Sequence, residues 1–222
     1  MADYLRAHRL ASTAGLAALL ALAGWAFAST TLPIPQLLSG GSQPVLFQLL
    51  LTTLAAPVVV AAFPEETLRL ENASRRRLWV YDVVTLVAVL GPVLLVSAVA
   101  PLLGDGTHTD ELARNTALFV GLALGVYAAF GQTAALVVPC VYFLAVATAG
   151  GLPYGGYRSW AFPAADANPS NSTVAAVVLL VGLLVFAVRQ RRPARPRSGK
   201  MRVPITPSGT SAVGADASRA SG

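Results

Sequence analysis

Six stretches of this chain are apolar, each is about as long as a bilayer is thick, and Arg114 is the one charged residue among them. That pattern leaves few folds open. A hydrocarbon core of about 30 Å is crossed by roughly 20 helical residues rising about 1.5 Å each. On that ruler the predicted spans are Leu10–Ser29, Val45–Phe63, Val83–Leu103, Leu112–Phe130, Thr133–Gly150 and Ser172–Val188. The fourth and fifth form one nearly continuous apolar run, too long for a single crossing. Gly131-Gln132 interrupts it near the middle, which predicts two short helices joined by a tight turn. An open sheet would turn unpaired backbone groups toward lipid, and the runs lack the alternation of barrel strands. The expected fold is therefore all-α, a polytopic bundle of six transmembrane helices over residues 1–188.

Charge sets the orientation. Only 12% of the 222 residues are charged, about half the ~25% of ordinary soluble domains. The charges gather at the N-terminus, around 64–82, around 105–114 and after 188. With the N-terminus inside, fourteen of the sixteen basic residues fall on the cytoplasmic side, leaving Arg114 and Arg158 outside. Both ends are thus expected in the cytoplasm, and the chain in the cytoplasmic membrane. Basic residues are nearly all arginine and alanine is abundant, as in products of GC-rich bacterial genomes. Arg6, Arg9 and Ala26-Phe27-Ala28 imitate a secretory signal, but the apolar run is long and carries Trp25 late, so a retained anchor is expected. The largest outer loop, about 151–171, carries Tyr154, Tyr157, Trp160 and Phe162, aromatics suited to the headgroup layer. Eight basic residues lie in the last 34 positions, beside an apolar segment, and point to a membrane surface rather than to nucleic acid. The tail, 189–222, is basic and then low in complexity, and is expected to be disordered.

The sequence offers no reaction centre. Cys140 lies within an apolar run and has no second cysteine to pair with or to share a metal. Glu65-Glu66-Thr67-Leu68-Arg69 superficially resembles the paired-glutamate motif of intramembrane prenyl-protein proteases. That motif has three residues before its arginine, not two, and needs membrane-embedded histidines; His8 and His108 lie in loops on opposite sides. No predicted span has an Asp, Glu, Lys or His near its centre, where an ion-coupled transporter binds its proton or cation. Gln48, Tyr127 and Tyr142 are the larger polar groups inside and are read as interhelical hydrogen-bond contacts. Lys200, in Ser198-Gly199-Lys200-Met201, lacks the upstream glycine and the following hydroxyl of a phosphate-binding loop, so any ATP hydrolysis must come from another subunit. Pro57, Gly91-Pro92 and Pro139 permit kinks inside spans.

The cytoplasmic loop joining spans two and three reads Pro64-Glu65-Glu66-Thr67-Leu68-Arg69-Leu70-Glu71-Asn72-Ala73-Ser74-Arg75-Arg76-Arg77. Its mixed charges and its Leu68 and Leu70 suit a short helix lying against a soluble partner. Here, and again at Arg114-Asn115-Thr116 followed by Gly121-Leu122-Ala123-Leu124, the chain resembles membrane subunits of ABC-2-type exporters, particularly small actinobacterial ones. The resemblance runs from about residue 45 to 188; at the start, only about nine residues precede the first span, where the family usually has a longer amphipathic helix. It implies two permease chains, like or unlike, around a central path, with separate ATPase subunits supplying ATP. Leu68, Leu70 and Glu71 would contact the ATPase, Arg75, Arg76 and Arg77 would fix the loop at the inner surface, and Arg114 and Asn115 would lie near the outer mouth. The implied function is export of a hydrophobic natural product or peptide; the alternative is a non-transporting immunity or assembly protein. No cofactor is expected in this chain.

Overall fold

A computed structural model describes residues 10–37, 42–63, 79–103 and 108–191. The protein is mostly helical, with α1 (Leu10–Ala26), α2 (Phe47–Ala61), α3 (Trp79–Val99), α4 (Thr109–Phe130), α5 (Gln132–Ala149) and α6 (Pro169–Arg191). Short 3-10 segments cover Ala100–Leu103 and Ser159–Ala164. Three helical stretches, Thr109–Phe130, Gln132–Ala149 and Pro169–Arg189, are long and apolar enough to cross a membrane. Ala11–Ala26, Phe47–Ala61 and Val83–Val99 are apolar but shorter.

One element departs from an all-helical expectation. Between α1 and α2 the chain forms an antiparallel hairpin, β1 (Thr31–Pro35) with β2 (Ser42–Leu46), in which Pro33 stands opposite Pro44. Prolines at 33, 35 and 44 bar a helix here, and an extended chain tolerates them at a sheet edge. The hairpin also takes Val45 and Leu46 from the predicted second span, so α2 begins at Phe47.

Consecutive helices run alternately between two ends. At one end the C-terminus of α1 meets the starts of α2 and α4: Gly24 lies against Gln48 and Leu112, and Gln48 Nε2 donates to His108 O at 3.0 Å. Val93, late in α3, packs with Ala21 and Leu112 at that same end. At the other end Tyr127 of α4, Phe63 after α2 and Phe186 of α6 meet, with the Phe63 and Phe186 rings edge to face and their centroids 5.1 Å apart. The α4–α5 turn is also there: Gly131 takes φ 93°, a left-handed value that favours glycine, and lets α5 start one residue after α4 stops.

Helix α4 is the centre of the bundle, since 61% of its apolar stretch is buried against 17% for α6. Nevertheless α4 and α6 approach to backbone contact. A Cβ on Gly121 would lie 2.5 Å from Leu179 Cα, and one on Gly182 would lie 2.2 Å from Gly121 O. Small residues at this spacing, Gly121 and Gly125 on α4 facing Gly182 on α6, permit the close crossing typical of helices packed in lipid. Outward, α5 and α6 expose Val137, Val141, Leu144, Val177, Leu180 and Leu184. Apolar rows of that size suit hydrocarbon and would be costly in water.

The Tyr127 end is closed by polar contacts as well. Tyr127 Oη donates to Phe63 O at 2.9 Å. Arg189 donates through Nη1 to Tyr127 O and to Ala128 O, and its guanidinium lies 5.7 Å from the centre of the Tyr127 ring. The Arg189 guanidinium thus adds a donor to Tyr127 O, which also accepts Gly131 N at 3.0 Å, and supplies one to Ala128 O, placing a cation at the negative end of the helix dipole. Tyr127→Phe removes one buried hydrogen bond without changing shape. It is expected to lower stability by about 1 kcal/mol, read as a drop in the thermal unfolding midpoint in mild detergent; an unchanged midpoint would show that the Phe63 carbonyl finds another donor.

Candidate functional site

The opposite end carries a polar cap, assembled from four separate parts of the chain. Its floor is the first turns of α4. His108 precedes the helix with φ 64°, a left-handed value uncommon for residues with a Cβ. Its Nδ1 pairs with Glu111 Oε2 at 2.9 Å. The carbonyl of His108 serves both the helix, through Leu112 N at 3.1 Å, and the Gln48 side chain. Thr109, Glu111, Arg114, Asn115 and Thr116 are all buried. The helix starts at Thr109 rather than at the predicted Leu112, and so draws two acidic residues into its first turn, where they suit the positive end of the dipole.

Arg114 and Asn115 hold the loop between α5 and α6 onto this floor. Arg114 Nη2 donates to Pro163 O at 3.0 Å and Ala165 O at 2.8 Å, while its Nε donates to Asn115 Oδ1 at 3.1 Å. Asn115 Nδ2 donates to Pro163 O at 3.0 Å. The 3-10 segment therefore ends on carbonyls fixed by two adjacent side chains of α4. Arg114 is 3% exposed and makes no ion pair with a carboxylate among the described residues; its Nη1 has no partner there. Both residues are buried beneath that loop.

The remaining contacts tie the loop to α5 and to the hairpin. Gln36, 5% exposed, donates through Nε2 to Ala147 O and accepts from Gly151 N at 3.1 Å, bridging β1 to the end of α5. Leu37 N reaches Thr148 O at 2.8 Å. Tyr142 Oη donates to Trp160 O at 2.7 Å. Tyr157 Oη donates to Pro44 O at 2.9 Å. Burial, with the Asp166 carboxylate adding to it, pushes the Tyr157 phenol above its ordinary value.

Of the polar residues that the sequence singles out, Gln48, Tyr127 and Tyr142 each donate to a distant carbonyl. Leu68, Leu70, Glu71, Arg75, Arg76 and Arg77 lie outside the described residues, as does the tail from 192. Gln36 carries no sequence signal, since one glutamine among prolines has no pattern to read. Chemically the cap is a set of carbonyl acceptors closed by side-chain donors, which holds backbone rather than a reacting group. Among the described residues no three His, Cys, Asp or Glu side chains gather as a metal site would require, and Cys140 is a free thiol in α5. A narrow apolar crevice lies deeper, between Ala17, Leu51, Val89 and Leu112, with Thr52 and Thr116 as its polar groups. Compared with models of known protein families, with curated proteins and with solved structures, the chain matches none.

Proposed function

We propose that this chain is the permease half of an ATP-driven exporter of the ABC-2 type, crossing the cytoplasmic membrane six times with both ends inside. Its cargo is a hydrophobic natural product or peptide, moved outward by ATPase subunits docked on the loop that contains Leu68, Leu70 and Glu71. A second permease chain completes the path.

One observation carries the reading: the ends of α2 and α6 lie together, marked by Phe63, Phe186 and Arg189, with the α4–α5 turn beside them. By the alternation of the helices, the start of α3 belongs to this end too. The arginine-rich loop 64–78 and the basic tail both leave from there. Clustered arginine marks a cytoplasmic face, which is where a soluble ATPase can reach. The outward-facing apolar rows on α5 and α6 support lipid on their flanks. The stapled polar cap at the far end also suits the other reading, a membrane immunity or assembly protein whose helices only hold a partner.

Capture from gently solubilised membranes separates the two. The tagged chain is expected to bring down a nucleotide-binding subunit, and Glu71→Ala with Leu70→Ala to reduce that capture about tenfold, equivalent to about 1.4 kcal/mol of contact. Equal capture by wild type and variants would remove the loop from the interface, and capture of no ATPase would leave the exporter reading without support. Reporter tags at Ser74 and at the C-terminus are expected on the same, cytoplasmic face; tags on opposite faces would overturn the topology.

A further inference from the structure

The turn that leaves α5 has a constrained backbone and an outward-facing set of large side chains. Gly155 and Gly156 take φ of 92° and 83°, values that a side chain would strain. Leu152 N bonds Gly156 O at 3.1 Å, Gly155 N bonds Leu152 O at 3.2 Å, and Arg158 N returns to Gly150 O at 2.9 Å. The Tyr157 hydroxyl ties the turn to the hairpin, and the Trp160 carbonyl is held by Tyr142. A turn fixed this way spends little further backbone entropy when its side chains meet a surface. Those side chains face away from the protein: Tyr154 is fully exposed, Trp160 is 40% exposed and Leu152 is 38% exposed. Arg158, two residues before Trp160, is exposed as well.

Position says what covers them. The turn follows directly on α5, whose Val137, Val141 and Leu144 are exposed. The 18 residues of α5 rise about 27 Å, slightly less than the ~30 Å hydrocarbon core, so a turn at its end falls in the headgroup layer. We propose that residues 152–160 form an interfacial anchor on the outer leaflet. Tyr154, Trp160 and Leu152 lie at the level of the glycerol and ester groups, and the Arg158 guanidinium meets a lipid phosphate. Amphipathic rings favour that layer because it accepts an apolar face and a polar edge together, and arginine matches phosphate with its planar fork. The anchor sets the depth of the polar cap. The inference rests on the membrane placement proposed above and not on exporter activity.

The test uses the full chain in phosphatidylcholine–phosphatidylglycerol vesicles. Trp25→Phe and Trp79→Phe leave Trp160 as the sole tryptophan; Trp25 Nε1 has no hydrogen-bond partner among the described residues, so that change removes no bond seen there. Quenching by lipids spin-labelled near the ester carbonyl is expected to exceed quenching by lipids labelled near the chain terminus by about twofold, with emission shifted to the blue. Trp160 quenched fully by aqueous acrylamide and by neither lipid label overturns the anchor. Trp160 shielded from acrylamide and from both labels also overturns it, and assigns the patch to a protein partner. A companion chain with Trp160→Phe and Leu144→Trp keeps the two readings apart. Deep quenching at 144 without shallow quenching at 160 sinks the anchor alone, whereas no lipid quenching at either position sinks the membrane placement with it.

Discussion

Gly182→Ala is expected to be strongly destabilising, because the added methyl group meets backbone on the facing helix. The new Cβ would lie 2.2 Å from Gly121 O and 3.0 Å from Gly121 Cα, and both obstacles are backbone. A flexible side chain could swing aside, but a helix backbone moves only with its helix. Helices α4 and α6 would have to part along their closest crossing, in a region where α4 is the buried centre of the bundle. Overpacking of that kind costs about 1–3 kcal/mol, here toward the upper end because both obstacles are backbone, and in lipid the loss falls on van der Waals packing, the main term that holds helices together there. The expected readout is a fall of several degrees in the unfolding midpoint and a reduced folded yield in mild detergent. Gly121→Ala, 2.5 Å from Leu179 Cα, should behave alike. Gly125→Ala, with its nearest atom at 3.7 Å, and Gly91→Ala, with no atom within 4 Å, should be mild. Equal behaviour across the four variants would refute the close crossing.

Arg114→Ala is expected to release the loop between α5 and α6 while leaving most of the bundle folded. Two large effects oppose each other at this residue. Burying a guanidinium with no carboxylate in direct contact is costly, and the nearby Glu111 and Asp166 charges offset that only in part, so the arginine adds less to global stability than its bonds suggest. Its bonds to Pro163 O and Ala165 O nonetheless hold the end of the 3-10 segment, and Asn115 covers only the first of those carbonyls. The loss therefore concentrates in the loop. Amide exchange at Ala161 and Ala165, whose N–H groups bond Arg158 O and Phe162 O, is expected to quicken about tenfold or more, equivalent to ~1.4 kcal/mol or more of local opening. Arg114→Lys should fail to restore protection, because a point ammonium cannot span two carbonyls and an amide oxygen as a planar fork does. Asn115→Ala should show a smaller effect of about 1 kcal/mol. If lysine protects as well as arginine, charge rather than geometry holds the loop.

The two predictions differ in how visible their residues are in the sequence. Gly121 and Gly125 have the spacing of a helix-packing pair, so a close crossing on α4 can be read from the chain; that Gly182 is the facing residue cannot. Arg114 and Asn115 stand out as the polar pair opening an apolar run, but their partners are backbone carbonyls 48 to 51 residues away. Carbonyls are identical at every residue, so no pattern reveals which one a buried donor will find. The hairpin escapes a reading based on apolar length because prolines 33, 35 and 44 lie in a segment that is neither long nor periodic.

By itself the sequence determines that the chain builds apolar helices, where Gly131 turns the fourth into the fifth, and that its arginines gather outside the apolar segments. Those properties follow from local composition and from the thickness of hydrocarbon, which act along the chain one segment at a time. Only the tertiary structure decides that α4 is central, that α6 meets it backbone to backbone, and that Arg114, Asn115 and Gln36 are spent on closing one end. Lipid solvates every apolar helix face alike, so hydrophobicity cannot choose between neighbours; shape and unpaired carbonyls make that choice, and both exist only once the helices are together.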